Sequence, residues 1–227
     1  MRFAVIEGLD GSGKSTQINL LQNFLREKKI KFKYLHFPRT DSGVYGELVA
    51  RFLRGELGDN DQVNPYLVAL IFAGDRNDAK EEIKKWIEQG YFVLVDRYVN
   101  SNIAFQCAKL KTEEERDQLK QWIFKLEFET NQLPVPDISL FLDVPFDFTS
   151  NQLKNQRNGK DRSYLKGAID IHEEDLDFQQ TVRQVYLSLK GIPGFEILNC
   201  TDTSGNILSP KDIFNKITKS LEIHEDN

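Results

Sequence analysis

The sequence predicts an α/β fold, a three-layer arrangement in which a five-stranded parallel sheet carries helices on both faces. Three observations lead there. Strand-like and helix-like segments alternate from one end of the 227 residues to the other, the pattern of parallel strands joined by crossover helices. The apolar, partly β-branched stretch Arg2-Phe3-Ala4-Val5-Ile6-Glu7 runs straight into Gly8-Leu9-Asp10-Gly11-Ser12-Gly13-Lys14-Ser15-Thr16, which satisfies G-x-x-x-x-G-K-[ST], the phosphate-loop (P-loop) pattern. After Thr16, the apolar residues Ile18, Leu21, Phe24 and Leu25 recur at helical spacing. A strand, a glycine-rich turn and a helix start thus follow one another, so backbone N–H groups and the positive helix end converge on one point. That point suits phosphate. Glycines leave room for the backbone to curl around β- and γ-phosphates, Lys14 reaches them, and the Ser15 hydroxyl can complete a Mg²⁺ shell.

The remaining elements follow in order. Lys31 to Phe37 reads as a second strand, closed by Pro38, which cannot donate to a sheet ladder. Asp41, Ser42 and Gly43 turn the chain into a helical pattern, Val44 to Leu53. Pro65 opens the next helix, with Leu67, Leu70 and Ile71 on one face, and Ile83, Trp86 and Ile87 continue the period until Gly90 ends it. Tyr91 to Val95 is a fully apolar strand stopping at Asp96-Arg97. Leu119, Trp122, Ile123 and Leu126 fall at i, i+3, i+4 and i+7 of a long amphipathic helix. Pro134 and Pro136 break it, Ile138 to Leu142 is a fourth strand, and Gly194 to Leu198 a fifth. A last helix is centred on Ile213, Phe214, Ile217 and Leu221. The whole reads as a single domain over residues 1–227, interrupted by a polar segment at about 154–170 that holds Lys154, Arg157, Lys160, Arg162 and Lys166 and the turn signal Asn158-Gly159. In a phosphate-loop protein such a basic segment can act as a lid, closing over the transferring phosphates and supplying arginine to the charge that spreads in the transition state.

Ligands of a doubly wound sheet collect beyond the carboxyl ends of its strands. Asp96-Arg97 stands at one such end and Phe37-Pro38-Arg39 at another, so two arginines face the cleft that the phosphate loop opens. A guanidinium fork suits a phosphate group distinct from the donor's. Phe72 and Arg76 lie four apart on one helix face, able to stack on an aromatic ring and to hydrogen-bond its edge. Two arginines, an aromatic and a phosphate loop suggest a nucleoside monophosphate facing a nucleoside triphosphate.

Composition excludes other classes. A net charge of −5 argues against a large nucleic-acid footprint, and no apolar run approaches a membrane span. Cys107 and Cys200, far apart and with no leader-type start ahead of them, read as buried thiols of a cytoplasmic protein. A guanine-nucleotide switch would need an Asn-Lys-x-Asp motif, which is missing; Asp202-Thr203-Ser204-Gly205 matches D-x-x-G by chance, after the last strand. A deoxynucleoside kinase would need a base, for which Glu7 or Asp96 could serve, but leaves the second arginine set without a purpose.

The chain resembles the thymidylate kinases nearly end to end. The resemblance rests on Glu7-Gly8-x-Asp10, Phe37-Pro38-Arg39, Phe72-x-x-x-Arg76, Leu133-Pro134-x-Pro136-Asp137 and, above all, Asp96-Arg97-Tyr98-Val99-Asn100-Ser101-Asn102-Ile103-Ala104-Phe105-Gln106. It implies transfer of the γ-phosphate of ATP to dTMP with Mg²⁺, usually by a homodimer on a five-stranded core. It also implies that Phe72 stacks on thymine while Arg76 bonds its edge, and that Arg39 and Arg97 hold the acceptor phosphate. Asp10 would take the sugar 3′-hydroxyl or the metal shell, and Asn102 the base or phosphate side, in a pocket completed by Phe37, Ser101, Phe105 and Gln106. Gly11 stands where some members carry an arginine, so Arg157 and Arg162 of the lid become the transition-state candidates. Phe105 replaces a common tyrosine, leaving rejection of ribonucleotides to shape. His172 lies where a tyrosine often closes the base pocket, and either packing or an edge contact with the nucleotide fits it. Asp96 would orient Arg97 or a metal-bound water, and Glu173 would reach the metal through water.

Overall fold

The computed structural model describes residues 2–154, 164–168, 170–173 and 175–222. Its centre is a sheet of β1 (Phe3–Glu7), β2 (Phe32–His36), β3 (Phe92–Asp96), β4 (Ile138–Asp143) and β5 (Phe195–Asn199). The order is β2-β3-β1-β4-β5 and every pairing is parallel, with Phe3 opposite Val93 and Ala4 opposite Ile138. Each strand falls within a residue of its expected bounds.

Side-chain alternation divides the core. Phe3, Val5, Val93, Val95 and Phe141 point to one face, and Ala4, Ile6, Phe92, Leu94, Leu140 and Leu142 to the other. The second face is covered by α1 (Lys14–Glu27) and α8 (Pro210–Ser220) through Ile18, Leu21, Phe24, Ile213 and Ile217. The first carries α3 (Pro65–Glu88), α4 (Val99–Cys107), α5 (Glu113–Phe124) and α7 (Leu176–Ser188). Helix α2 (Gly43–Leu53) packs on α3 through Val49, Phe52, Leu53 and Val68, and α6 (Phe146–Lys154) follows β4. Cys107 and Cys200 are buried free thiols.

Sequence periodicity misses or misplaces several of these elements. Helix α4 is buried along almost its whole length, and its buried polar residues Ser101, Asn102 and Gln106 blur the apolar period. Helix α7 starts at an Asp175 cap that accepts the Phe178 N–H. On α3, Leu67 and Leu70 are 59% and 45% exposed, while the small residues Ala69, Ala73 and Gly74 turn inward. Close approach explains this: a Cβ on Gly74 would stand 2.3 Å from the Tyr45 ring of α2. After α5 the chain enters a π-helical stretch, Lys125–Thr130. Its wider turn shifts the inward face by a residue, so Glu127 is fully buried where the period placed Leu126.

Candidate active site

The phosphate loop joins β1 to α1. Gly11 and Gly13 have φ of 78° and 84°, a left-handed conformation that a side chain would oppose, and Gly13 is the N-cap of α1 with no side chain over the helix start. The first N–H groups of α1 are therefore open to an anion. A recess of about 260 Å³ lies there, lined by Gly11, Ser12, Gly13, Lys14, Ser15, Thr16 and, from α6, Phe148 and Gln152. The Lys14 Nζ donates to the Gly8 and Leu9 carbonyls at 3.2 and 2.8 Å, which holds the ammonium across the loop.

A larger cavity of about 360 Å³ opens beyond the carboxyl ends of β1, β2 and β3, and Lys14 and Ser15 line it as well. At its centre is Arg97, whose φ of 63° is unusual for a side-chain-bearing residue and marks local strain at a working site. Its Nη2 donates to Asp10 Oδ1 at 2.7 Å, its Nη1 to Ser101 Oγ at 3.3 Å, and its guanidinium carbon lies 5.1 Å from the Phe105 ring centre. Arg39 is held by Asp75 through Nε at 2.9 Å and through its own backbone N–H at 2.8 Å. Both arginines of the strand ends are thus anchored by carboxylates and face one space.

Of the two roles expected of Asp96, orienting Arg97 or a metal-bound water, the first is not seen. Asp96 hydrogen-bonds His36 Nδ1 at 3.1 Å through Oδ2 instead of bonding Arg97, and its Oδ1 is buried without a hydrogen-bond partner among the described residues. Burial opposes ionisation, but His36, Lys14 and Arg97 outweigh it and hold the Asp96 carboxyl below its ordinary range. Ser101 also differs from a plain substrate contact: its hydroxyl donates to Glu7, which in turn accepts from the Tyr98 N–H and the Tyr186 hydroxyl. Burial pushes the Glu7 carboxyl upward against those bonds and the charge of Arg97. Enclosed in this way, the Glu7 carboxyl braces Arg97 through Ser101.

The opposite end of the cavity carries Phe72, Arg76, Asn102, Phe105, Gln106 and His172. Phe72 meets Phe52 edge-on at 6.3 Å. Arg76, only 2% exposed, donates Nε and Nη2 to the two oxygens of Glu127. His172 sits among Phe52, Phe105 and Phe178, with ring centres at 5.5, 4.9 and 5.6 Å, and its Nε2 has no hydrogen-bond partner among the described residues. Burial, reinforced by the positive Lys109, lowers its pKa to about 3. Phe37 and Glu173 also line the cavity; Arg157 and Arg162 lie outside the described residues.

Four contributors escaped the sequence reading. Asp75 and Glu127 anchor arginines, Gln179 donates to Asp10 Oδ2 at 3.1 Å, and Tyr164 donates to Asp170 at 2.6 Å from within the segment read as polar lid. Asp75 alone had a local signal, a charge next to Arg76 on the inward side of a helix.

A pH effect follows from this end of the cavity. The folded state binds the His172 proton less tightly than an unfolded chain with a pKa near 6.5, so that stability is complete above pH 6.5 and is lost as the pH falls toward 3. Asp170, raised to about 7 by burial and then by Asp10, acts oppositely and adds stability as the pH falls from 7 toward 3.8. The comparison of wild type with His172→Phe isolates the first contribution. In urea denaturation the variant should gain about 2–3 kcal/mol on wild type between pH 8 and pH 4. Parallel pH profiles would show that the imidazole does not enter its cluster neutral.

A family model described as thymidylate kinase matches residues 6–202. Among relatives, a probable thymidylate kinase of Pyrobaculum aerophilum is 32% identical over 203 residues, 88% of this chain and 89% of that protein. A thymidylate kinase of Mycobacterium tuberculosis H37Rv is 34% identical over 185 residues, 81% of this chain and 83% of that protein. The structure of thymidylate kinase from Candida albicans superposes with a TM-score of 0.69 at 25% identity, covering 97% of this chain and 91% of that one. With the loop, the paired arginines and the aromatic end already assembled at the strand ends, this match over most of the chain establishes that it belongs to the thymidylate kinase family.

Proposed function

We propose that the protein transfers the γ-phosphate of ATP to dTMP, giving dTDP and ADP. One observation carries the reading: a single cavity begins at Lys14 and Ser15, passes two carboxylate-anchored arginines and ends on Phe72 and Arg76. Gly8 to Thr16 take the triphosphate. Arg39 and Arg97 take the acceptor phosphate, Phe72 stacks on the base with Arg76 and Asn102 at its edge, and Asp10 lies beside the sugar. Phe37, Phe105, Gln106 and His172 enclose the nucleoside.

The donors suit Mg²⁺. Ser15 is exposed at the mouth of the loop, and Asp96 keeps one buried oxygen unpaired among the described residues in a carboxyl held ionised. Both Asp10 oxygens accept hydrogen bonds, from Arg97 and Gln179, so Asp10 serves the acceptor side more than the cation. Glu173, on the same cavity, takes a water-mediated place. Bound with ATP, Mg²⁺ neutralises β- and γ-phosphate charge. The acceptor phosphate has a second pKa of about 6, so it attacks already ionised and needs no base. The protein's task is therefore to bring two anions into line, with Lys14, Arg39 and Arg97 offsetting their repulsion. Arg157 and Arg162 complete this from the lid over residues 154–170 of one domain.

The reading includes a cytoplasmic homodimer. No described helix is long and apolar enough to cross a membrane, and Val44, Leu67 and Leu70 on the α2–α3 layer leave apolar surface for a second copy.

ADP release with ATP–Mg²⁺ tests the function, offering dTMP, dUMP, UMP, CMP, AMP and unphosphorylated thymidine in parallel. dTMP should be strongly preferred and thymidine inert. Thymidine as the better acceptor, or no acceptor above the ATP-only rate, would overturn the proposal.

A further inference from the structure

At the base end of the cavity, three polar side chains are almost completely buried and bonded to one another. Arg76 is 2% exposed, Asn102 3% and Glu127 0%. Glu127 Oε2 accepts from Arg76 Nε at 2.5 Å, and Oε1 accepts both Arg76 Nη2 at 2.7 Å and Asn102 Nδ2 at 2.9 Å. The Asn102 Nδ2 donates a second bond to the Ala69 carbonyl at 3.0 Å. Arg76 and Asn102 line the cavity; Glu127 stands behind them.

These bonds have a directional consequence. A carboxylate and a carbonyl only accept, so the Asn102 amide must turn its NH₂ toward Glu127 and Ala69. Its Oδ1 is then the atom left over, and it is buried with no hydrogen-bond partner among the described residues. Two of the three Arg76 nitrogens are engaged by Glu127, so Nη1 is the donor left for the cavity. A donor and an acceptor thus stand side by side. A ring edge carrying C=O beside N–H complements them, as the 4-oxo pyrimidines thymine and uracil do. Cytosine offers NH₂ beside a bare ring nitrogen, which sets donor against donor and acceptor against acceptor.

We propose that Glu127 is a positioning residue that sets the hydrogen-bonding polarity of the base end, holding Arg76 as donor and Asn102 as acceptor so that the cavity selects 4-oxo over 4-amino pyrimidine nucleotides. This rests on the dTMP kinase reading. Glu127 reaches its place through the π-helical stretch Lys125–Thr130, which is anchored on its far side by the Leu133 N–H donating to the Glu127 carbonyl at 3.0 Å.

Glu127→Gln tests the assignment, because a glutamine amide of the same shape can donate to Asn102 and so permit its amide to flip. Acceptor kinetics are measured with dTMP and dCMP. The variant should lower the dTMP-to-dCMP ratio of kcat/KM by at least about tenfold, mainly through KM for dTMP, with KM for ATP within about twofold of wild type. Glu127→Asp, which retains the carboxylate, should keep the ratio even if both KM values rise. A residue that merely neutralised a buried arginine would move stability and leave the ratio alone. If Glu127→Gln is not obtained folded, Arg76→Gln/Glu127→Gln leaves no unpaired buried charge and should lose the ratio likewise. A wild-type ratio in whichever variant melts cooperatively overturns the inference, and so does a wild-type enzyme that uses dCMP as readily as dTMP. A wild-type enzyme with no activity on dTMP overturns the functional reading instead.

Discussion

Lys14→Met is expected to lower kcat for phosphoryl transfer by at least about 10³-fold while shifting the melting temperature by only a few degrees. The reasons are geometric. Lys14 Nζ donates to the carbonyls of Gly8 and Leu9 at the mouth of the loop, bonds that order the loop and not the core. A methionine of similar length preserves the packing of a side chain that is 8% exposed, so the fold has little reason to respond. In the proposed mechanism the chemistry does respond, because two anionic groups must meet where Lys14 offsets their charge, and that charge is greatest in the transition state. Steady-state ADP release and a thermal melt on the same preparation give both halves of the result. A variant turning over within tenfold of wild type would remove Lys14 from the mechanism.

Arg97→Met should lower kcat/KM for dTMP by about 10²–10⁴-fold with KM for ATP little changed, since the lost fork is the one proposed to hold the acceptor phosphate. Arg97→Lys should recover little, because one ammonium cannot bond Asp10, Ser101 and a phosphate in the planar geometry the guanidinium uses. The backbone supplies a separate check. With Arg97 at φ 63°, Arg97→Gly should be more stable than Arg97→Ala by about 1 kcal/mol, although both lose the same contacts. The opposite order would mean that the left-handed turn after β3 relaxes once the arginine is gone.

The two experiments probe opposite ends of one cavity, and their outcomes separate donor from acceptor roles. The base selectivity proposed for Glu127 is read separately from both, whereas the His172 cluster feels the charges of Arg97 and Asp10 and is best measured with Arg97 intact. Together they divide the site into a phosphate half built on strand ends and a base half built on buried helices.

The phosphate half was legible in the sequence because its information is local. Gly8 to Thr16 is a contiguous stretch from the end of a strand into the start of a helix, Arg97 follows an apolar run, and Arg39 follows a strand closed by Pro38. The three central strands β1, β3 and β4 are buried and apolar on both faces, the edge strands β2 and β5 are bounded by Pro38 and Gly194, and the sheet then forces their carboxyl ends together. The base half was legible only in its outline, Phe72 and Arg76 at helical spacing and the run from Asp96 to Gln106. What the tertiary structure alone decided is which groups anchor these side chains. Asp75, Glu127 and Gln179 come from helices distant in sequence, Asp96 turns to His36 instead of Arg97, and Ser101 is committed to Glu7. The physical reason is that burying a charge demands a partner, and the partner is chosen by which helices share the core, a matter of packing that no local spacing encodes.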